Sequence, residues 1–340
     1  PVSPALMYND SRATEIMDEL YQFVPSDSIT LSASSSLAKA VYLLKQAREQ
    51  HSECRYITHQ ADWISSRFSG QPAVSDENNC LKLGYDSSLS KWPDWLANAP
   101  FELREKLPGV YPSGKLIGTI KPGIADHFNL SRDTSIITGT TDSTASTLAT
   151  GIEASGDAVT TYGSTLVMKI ISDLPISSVQ DGVYSHRLPS GRWLIGGASN
   201  SGGNVLLKYF TVEQIAKLSE QIDSQQSTGL DYYPLAGIGE RFPINDPNMQ
   251  PRLTPRPAAD VFFLQAMFEG FARIEKLAYD KMTKLGAPSP SRIYSAGGQA
   301  ASNQALTEIR SRILQIPVFK ASHTEASYGV ALLALNALSE

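Results

Sequence analysis

The chain has 340 residues, 41% of them apolar and 19% charged, with 20 prolines and 24 glycines. That length exceeds what one hydrophobic core usually organises, so two domains are expected, and the composition excludes a disordered or fibrous chain. A formal net charge of −5 offers no cationic field to nucleic acid or anionic lipid, and no stretch reaches the roughly 20 consecutive apolar residues of a membrane helix.

In chain order, "SSSLAKAVYLLKQAREQ" and "ADWISSRFSG" predict two helices in a mainly helical first third, the second ending on Gly70. The text from Gly109 to Gly123, "GVYPSGKLIGTIKPG", is rich in Pro and Gly and reads as a connection, which places a domain boundary near residue 130, with domains over 1–130 and 131–340. Beyond it come the strand "SIITGTT", a hairpin "AVTTYGSTLVMKII" turning about Gly163, and the strand "RWLIGGA". Thr211 and Gln214 form a capping box for "VEQIAKLSEQI", and an apolar-periodic helix runs from "DVFFLQAMF" to Gly286. The close alternates strand "RIYSAGG", helix "SNQALTEIRSRIL", strand "PVFKA" and helix "TEASYGVALLALNAL", which is α/β order.

Several apparent motifs carry no chemistry. "GVYPSGKL" has Walker-like spacing at Gly109, Gly114 and Lys115, but Leu116 stands where a Ser or Thr must bind magnesium, so it reads as an exposed loop. "GGASNSGG" fits neither a nucleophile elbow nor a dinucleotide fingerprint. His51, His59, His127, His186 and His323 show no ligand spacing, and with only Cys54 and Cys80 present neither a disulfide framework nor an intrinsic metal site is expected. Few cysteines suit a reducing compartment, the cytoplasm or, in a photosynthetic eukaryote, the plastid stroma. The opening "PVSPALMYNDSRA" carries no targeting signal.

Three small-residue turns follow apolar strands: "GTTDST" at 139–144, "YGSTL" at 162–166 and "AGGQAASN" at 296–303. Glycine admits close backbone approach, Ser and Thr add donors, and a helix start adds partial positive charge, so such turns suit phosphate, although strand-to-helix turns need glycine for geometry alone. Asp142 has two readings. It is the N-cap of the helix "STASTLAT", or it is a carboxylate held ionised by the helix dipole and therefore able to accept a proton; the two roles are compatible. In phosphoryl transfer to an alcohol such a group orients the hydroxyl and takes its proton late.

These residues resemble the FGGY carbohydrate kinases. "YNDSRA" resembles the Trp-x-Asp-x-Arg-Ala segment near the sugar, with Tyr8 in place of Trp; "SSSLAKAVYLL" around Lys39 resembles the first signature, and "QADWISSRFSGQPAVSD" the Asp-Tyr-Leu block. "GTTDS" resembles the motif whose aspartate is the catalytic base, "GDAVTTYGST" the second phosphate hairpin, "AGGQAASN" the adenosine loop and "TEASYGVALLA" the closing helix. The resemblance implies an α/β, actin-like ATPase (ribonuclease H-like) fold of two domains, and an ATP-dependent kinase using Mg²⁺ held mainly by phosphates and water. It makes Asp142 the base, places Thr140, Thr141, Gly163, Ser164, Thr165, Gly297, Gly298 and Asn303 at ATP, and places Asp10, Arg12 and Asp142 at the sugar.

Within the family, "LKLGYD", "GVYSHRL", "GGASNSGG" and "LDYYPLAGIGERFPINDP" most resemble the plant and cyanobacterial branch described as ribulose or xylulose kinases, which implies a ketopentose phosphorylated on its terminal hydroxyl. The partners implied are ATP and a small sugar, with no nucleic acid and no membrane; oligomeric state is not implied. Two departures stand out: Gln299 replaces a common third glycine with one extra residue before Asn303, and nothing matches the family's opening Asp-x-Gly-Thr hairpin. The first domain is therefore expected to be incomplete and these 340 residues by themselves inactive. The competing reading is a family member that binds nucleotide or sugar without turnover.

Overall fold

The structure, a computed structural model, describes residues 2–338, with the backbone alone at residues 299 and 300. The chain divides into two compact units: the first contains the residues up to Ala145, His186–Ser190 and those from Val330 on, and the second contains Ser146–Ser185 and Gly191–Gly329.

In the first half the helices are α1 (Met17–Leu20), α2 (Ser36–Glu49), α3 (Gln60–Ser69), α4 (Leu103–Lys106), α5 (Pro122–Phe128) and α6 (Asp142–Ala149). Helix α2 starts where the Ser35 hydroxyl accepts the Ala38 N–H at 3.0 Å, and it buries Leu37, Val41 and Leu44 against Ile16, Leu20, Leu83, Leu96 and Leu103, which form the core of the first unit. Helix α3 ends at Gly70, whose φ of 78° is the left-handed conformation of a helix C-terminus.

Four short strands complete this part: β1 (Val74–Asp76) pairs in parallel with β2 (Gly109–Tyr111), and β3 (Leu116–Thr119) pairs antiparallel with β4 (Ser135–Ile137). The Pro/Gly-rich text from 109 to 123 is thus not merely a connection. Segments of three or four residues show no periodicity of their own and become strands only through partners distant in sequence.

The second half carries β5 (Asp157–Tyr162), β6 (Leu166–Ser172), β7 (Tyr184–Arg187), β8 (Trp193–Ser199), β9 (Arg292–Ala296) and β10 (Val318–Lys320) in one sheet of order β10-β9-β5-β6-β8-β7. Strand β5 pairs antiparallel with β6 and parallel with β9, and it is buried along nearly its whole length, as expected of a strand covered on both faces. The helices of this half are α7 (Gly203–Leu206), α8 (Val212–Ser219), α9 (Asp260–Lys284), α10 (Gln304–Leu314) and α11 (Ala326–Ala337). The 25 residues of α9 bury Phe263, Phe268, Phe271, Ile274 and Met282 in the core of the second unit. The capping box on α8 is formed on both sides, Thr211 accepting from the Gln214 N–H and the Gln214 side chain from the Thr211 N–H.

Candidate active site

The turn between β5 and β6 is built by close backbone contact. Tyr162 faces Leu166 across the hairpin, and the Gly163 N–H donates to the Thr165 carbonyl at 3.1 Å. The chain after β8 presses onto this turn: the Gly203 N–H donates to the Gly163 carbonyl at 2.9 Å and the Asn204 N–H to the Ser164 carbonyl at 3.3 Å. A Cβ at Gly202 would lie 2.7 Å from the Ser164 oxygen, and one at Gly203 would lie 2.8 Å from the Gly163 oxygen, so only glycine lets the two segments meet. Sequence reasoning finds a likeness to the ribulose or xylulose kinase branch in "GGASNSGG" but assigns it no site, because it matches no ligand fingerprint. The signal it does carry is two adjacent glycines, Gly202 and Gly203, shortly after a buried strand that ends at Ser199.

The second turn follows β9. Gly297 has φ 94°, and a Cβ there would sit 2.5 Å from the Tyr162 carbonyl oxygen, whereas a Cβ at Gly298 would meet nothing within 4 Å. The first glycine is thus required by packing, and the second leaves open space. Asn303 ends the turn: its Oδ1 caps α10 by accepting the Leu306 N–H at 3.0 Å, and its Nδ2 donates to the Ser219 hydroxyl of α8 at 2.7 Å.

Between these turns the second unit holds a cleft of about 1120 Å³, lined by Tyr162, Gly163, Ser164, Gly298, Ser302 and Asn303, by the apolar side chains Leu206, Leu207, Val212, Ile215, Ile222 and Phe268, and by Glu220 and Glu308. Of the residues expected at ATP, Gly163, Ser164, Gly298 and Asn303 line it; Thr165 and Gly297 belong to the two turns without lining it, and Thr140 and Thr141 lie in the other unit. The contribution of α8, through Ile215, Ala216 and Ser219, has no sequence motif. No lysine or arginine is among the lining residues. The Ser224 hydroxyl and the Gln304 amide both donate to Glu308 and hold its carboxyl below the usual range. Apolar walls and side-chain oxygen acceptors suit an uncharged ring system bearing hydroxyl and amino groups.

In the first unit, "GTTDST" joins β4 to α6. Asp142 is the first residue of the helix and is exposed, with Oδ1 accepting the Ser143 N–H at 2.6 Å. Its position in the first turn suits a carboxylate. Asp142 is not the N-cap itself: the hydroxyl that accepts the Thr144 N–H, at 3.4 Å, is that of Thr141, which also bonds the Thr144 hydroxyl at 2.9 Å. The cap thus sits one residue earlier than the local pattern suggests, and it leaves the aspartate side chain outward. Thr140 is buried and accepts from the Asn78 amide at 2.9 Å.

Asn78, which no motif marks, is a hub within this unit. Its amide nitrogen also bonds the Arg187 carbonyl at 2.8 Å and the Ser113 hydroxyl at 3.2 Å, and its oxygen accepts the Arg187 N–H at 3.0 Å. Beside it, burial pushes the Asp76 carboxyl up to about 6 although Asn79 and the Asn78 N–H donate to it. Burial likewise pushes Glu77 up to about 7 against the opposing pull of Arg187.

At the chain's start, Asp10 and Arg12 bind each other, with Nε to Oδ1 at 3.1 Å and Nη2 to Oδ2 at 2.9 Å. The Arg12 backbone N–H and guanidinium hold the Asp10 carboxyl below its usual range. The Lys39 ammonium donates to the Tyr8 carbonyl at 2.9 Å and the Ser34 carbonyl at 2.8 Å, anchoring this segment to α2, and burial lowers its pKa. Among the described residues there is no group of three or more His, Cys, Asp or Glu that could hold a metal ion, and no helix long and apolar enough to cross a membrane.

Residues 1–149 match the N-terminal domain, and residues 158–338 the C-terminal domain, of the FGGY family of carbohydrate kinases. The xylulose kinase of Lactococcus lactis subsp. lactis (strain IL1403) is 23% identical over 314 residues, 88% of this chain and 62% of that protein. The xylulose kinase of Escherichia coli (strain K12) is 20% identical over 254 residues, 72% of this chain and 52% of that protein. The chain thus spans about half to two thirds of the length of these relatives. The crystal structure of a xyloylose kinase from Brucella ovis superposes with a TM-score of 0.86 at 20% identity, covering 99% of this chain and 72% of that one. The likeness covers nearly every described element, so the α/β architecture is that of the actin-like kinases expected from the motifs. The chain belongs to the FGGY family of carbohydrate kinases.

Proposed function

We propose that this chain supplies the sugar- and nucleotide-handling parts of an ATP-dependent kinase that phosphorylates the terminal hydroxyl of a ketopentose, D-ribulose or D-xylulose, with Asp142 as general base. The observation that carries the reading is the cleft of the second unit, where two glycine turns meet apolar walls that bear no cationic side chain. An adenosine moiety suits such walls, and the phosphate end rests on the resemblance of the β5–β6 turn, with Ser164 at the cleft, to the family's second phosphate hairpin. The ketopentose rests on the motif resemblance and on the xylulose kinases among the relatives.

In this reading Asp142, exposed at the start of α6, hydrogen-bonds the acceptor hydroxyl, orients its oxygen toward the γ-phosphorus and takes the proton as the new O–P bond forms and the bond from that phosphorus to the departing ADP breaks. Thr141 caps the helix beneath it, and Asn78, bound to Thr140, holds the turn on which the aspartate stands. Asp10 and Arg12 present a polar edge for sugar hydroxyls. Magnesium, when bound with the nucleotide, supplies charge neutralisation at the phosphates. Such an ion would be carried mainly by phosphate oxygens and water.

The test is turnover of ribulose and xylulose by the full-length protein and by its Asp142→Ala variant. Loss of a general base is expected to lower kcat by about 10² to 10⁴. Retention of the parental rate overturns the assignment of Asp142. ATP binding by calorimetry without product from any pentose would instead favour a binding protein that does not turn over.

A further inference from the structure

Behind the wall of the cleft the second unit buries a complete ion pair. Arg310 of α10 and Glu275 of α9 are 1% and 0% exposed, and they meet through two parallel bonds, Nε to Oε2 and Nη2 to Oε1, both 2.7 Å long. The Thr160 hydroxyl of β5 donates to Oε1 and the Tyr162 hydroxyl to Oε2, so each carboxylate oxygen receives two donors. With its proton committed to Glu275, Thr160 accepts from the Tyr279 hydroxyl at 2.9 Å. Arg310 also donates to the Ser295 hydroxyl of β9 and lies 4.8 Å from the centre of the Tyr162 ring.

The network grips both cleft-forming turns at their bases. Tyr162 directly precedes Gly163, and Ser295 stands two residues before Gly297, whose backbone packs against the Tyr162 carbonyl. A buried pair of this kind is a poor source of stability, because desolvating both charges offsets most of their attraction; apolar residues of similar volume often serve the fold as well. What apolar residues do not reproduce is direction. The ladder from Asp157↔Arg292 to Thr161↔Ala296 already sets β5 against β9, so what a planar guanidinium held by a carboxylate and a serine fixes is the seat of α9 and α10 on those strands, and hence the height at which α10 presents its Asn303 end beside the Gly163 turn.

We propose that Arg310 and Glu275 are positioning residues for the nucleotide cleft, seating the start of α10, with Asn303, against the Gly163 turn from behind. The inference rests on the cleft being the nucleotide site. It is tested by calorimetric titration of ATP into the full-length protein, so that binding is read apart from turnover. Arg310→Met combined with Glu275→Leu leaves the buried Tyr162 and Ser295 hydroxyls without these partners, so it is expected to fold with a lower Tm and to bind ATP about three- to thirty-fold more weakly. KM for ATP should rise by a similar factor while KM for the sugar stays put.

Tyr279→Phe removes one donor from the network without touching a residue that lines the cleft, and it should fold and weaken ATP binding about threefold. If every variant that folds binds ATP as tightly as the parent, the pair is scaffold and the proposal is overturned. If the parent itself does not bind ATP, the nucleotide reading of the cleft fails and takes this proposal with it, an outcome recognisable before any variant is made.

Discussion

Gly297 and Gly298 are adjacent and identical in the sequence, yet their backbones face opposite demands. A methyl group at 297 would overlap the Tyr162 carbonyl at 2.5 Å in a left-handed conformation, while one at 298 would project into open space. Gly297→Ala is expected to cost at least about 2 kcal/mol in urea unfolding and to weaken ATP binding with it. Gly298→Ala should leave unfolding within about 0.5 kcal/mol of the parent while still crowding the cleft. Equal destabilisation by the two substitutions would refute this division of roles. The sequence marks the pair as a turn but not which glycine does what, because the answer lies in a carbonyl more than a hundred positions away. Asp142 behaves similarly: its place at a helix start is legible in "GTTDST", whereas the shift of the cap to Thr141 follows from how β4 delivers the chain.

At the scale of elements, legibility follows the range of the forces. The capping box of α8 is complete within four residues and is read directly from Thr211 and Gln214. The β5–β6 hairpin and helix α9 announce themselves by alternation and by helical periodicity. Strands β2 and β3 do not, since partners distant in sequence create them, and β7 is missed for the same reason of brevity. Asn303 joins two elements, capping α10 and bonding Ser219 at the end of α8. Asn303→Ala is expected to lower stability by about 1 kcal/mol from the lost cap, with faster amide exchange in the first turn of α10 and the last turn of α8. Faster exchange in α10 alone would show that the bond to Ser219 contributes nothing.

Across the whole molecule, the buried carboxyls Asp76 and Glu77 link stability to pH. Burial raises both above their ordinary values, to about 6 and about 7, so between roughly pH 4 and pH 7 the folded chain holds more protons than the unfolded one. Stability from these groups is therefore greatest at the acid end of that window and is lost as pH rises through it. Glu77→Gln, which imitates the protonated form, should stabilise the protein at pH 8 by no more than about 3 kcal/mol, with the gain shrinking toward pH 5. A gain independent of pH would show that Glu77 does not titrate there.

Membership of the first unit has a temporal side. Asn78 receives both peptide groups of Arg187, and the unit also takes in the residues from Val330 on, so its parts are separated by most of the second unit in the order of synthesis. A ribosome that has just added Ala145 has made the Ser113 and Thr140 partners of Asn78 but not yet Arg187. The earlier-made part must wait, partly unpaired, for Arg187 and then for the residues from Val330 on that belong to the same unit.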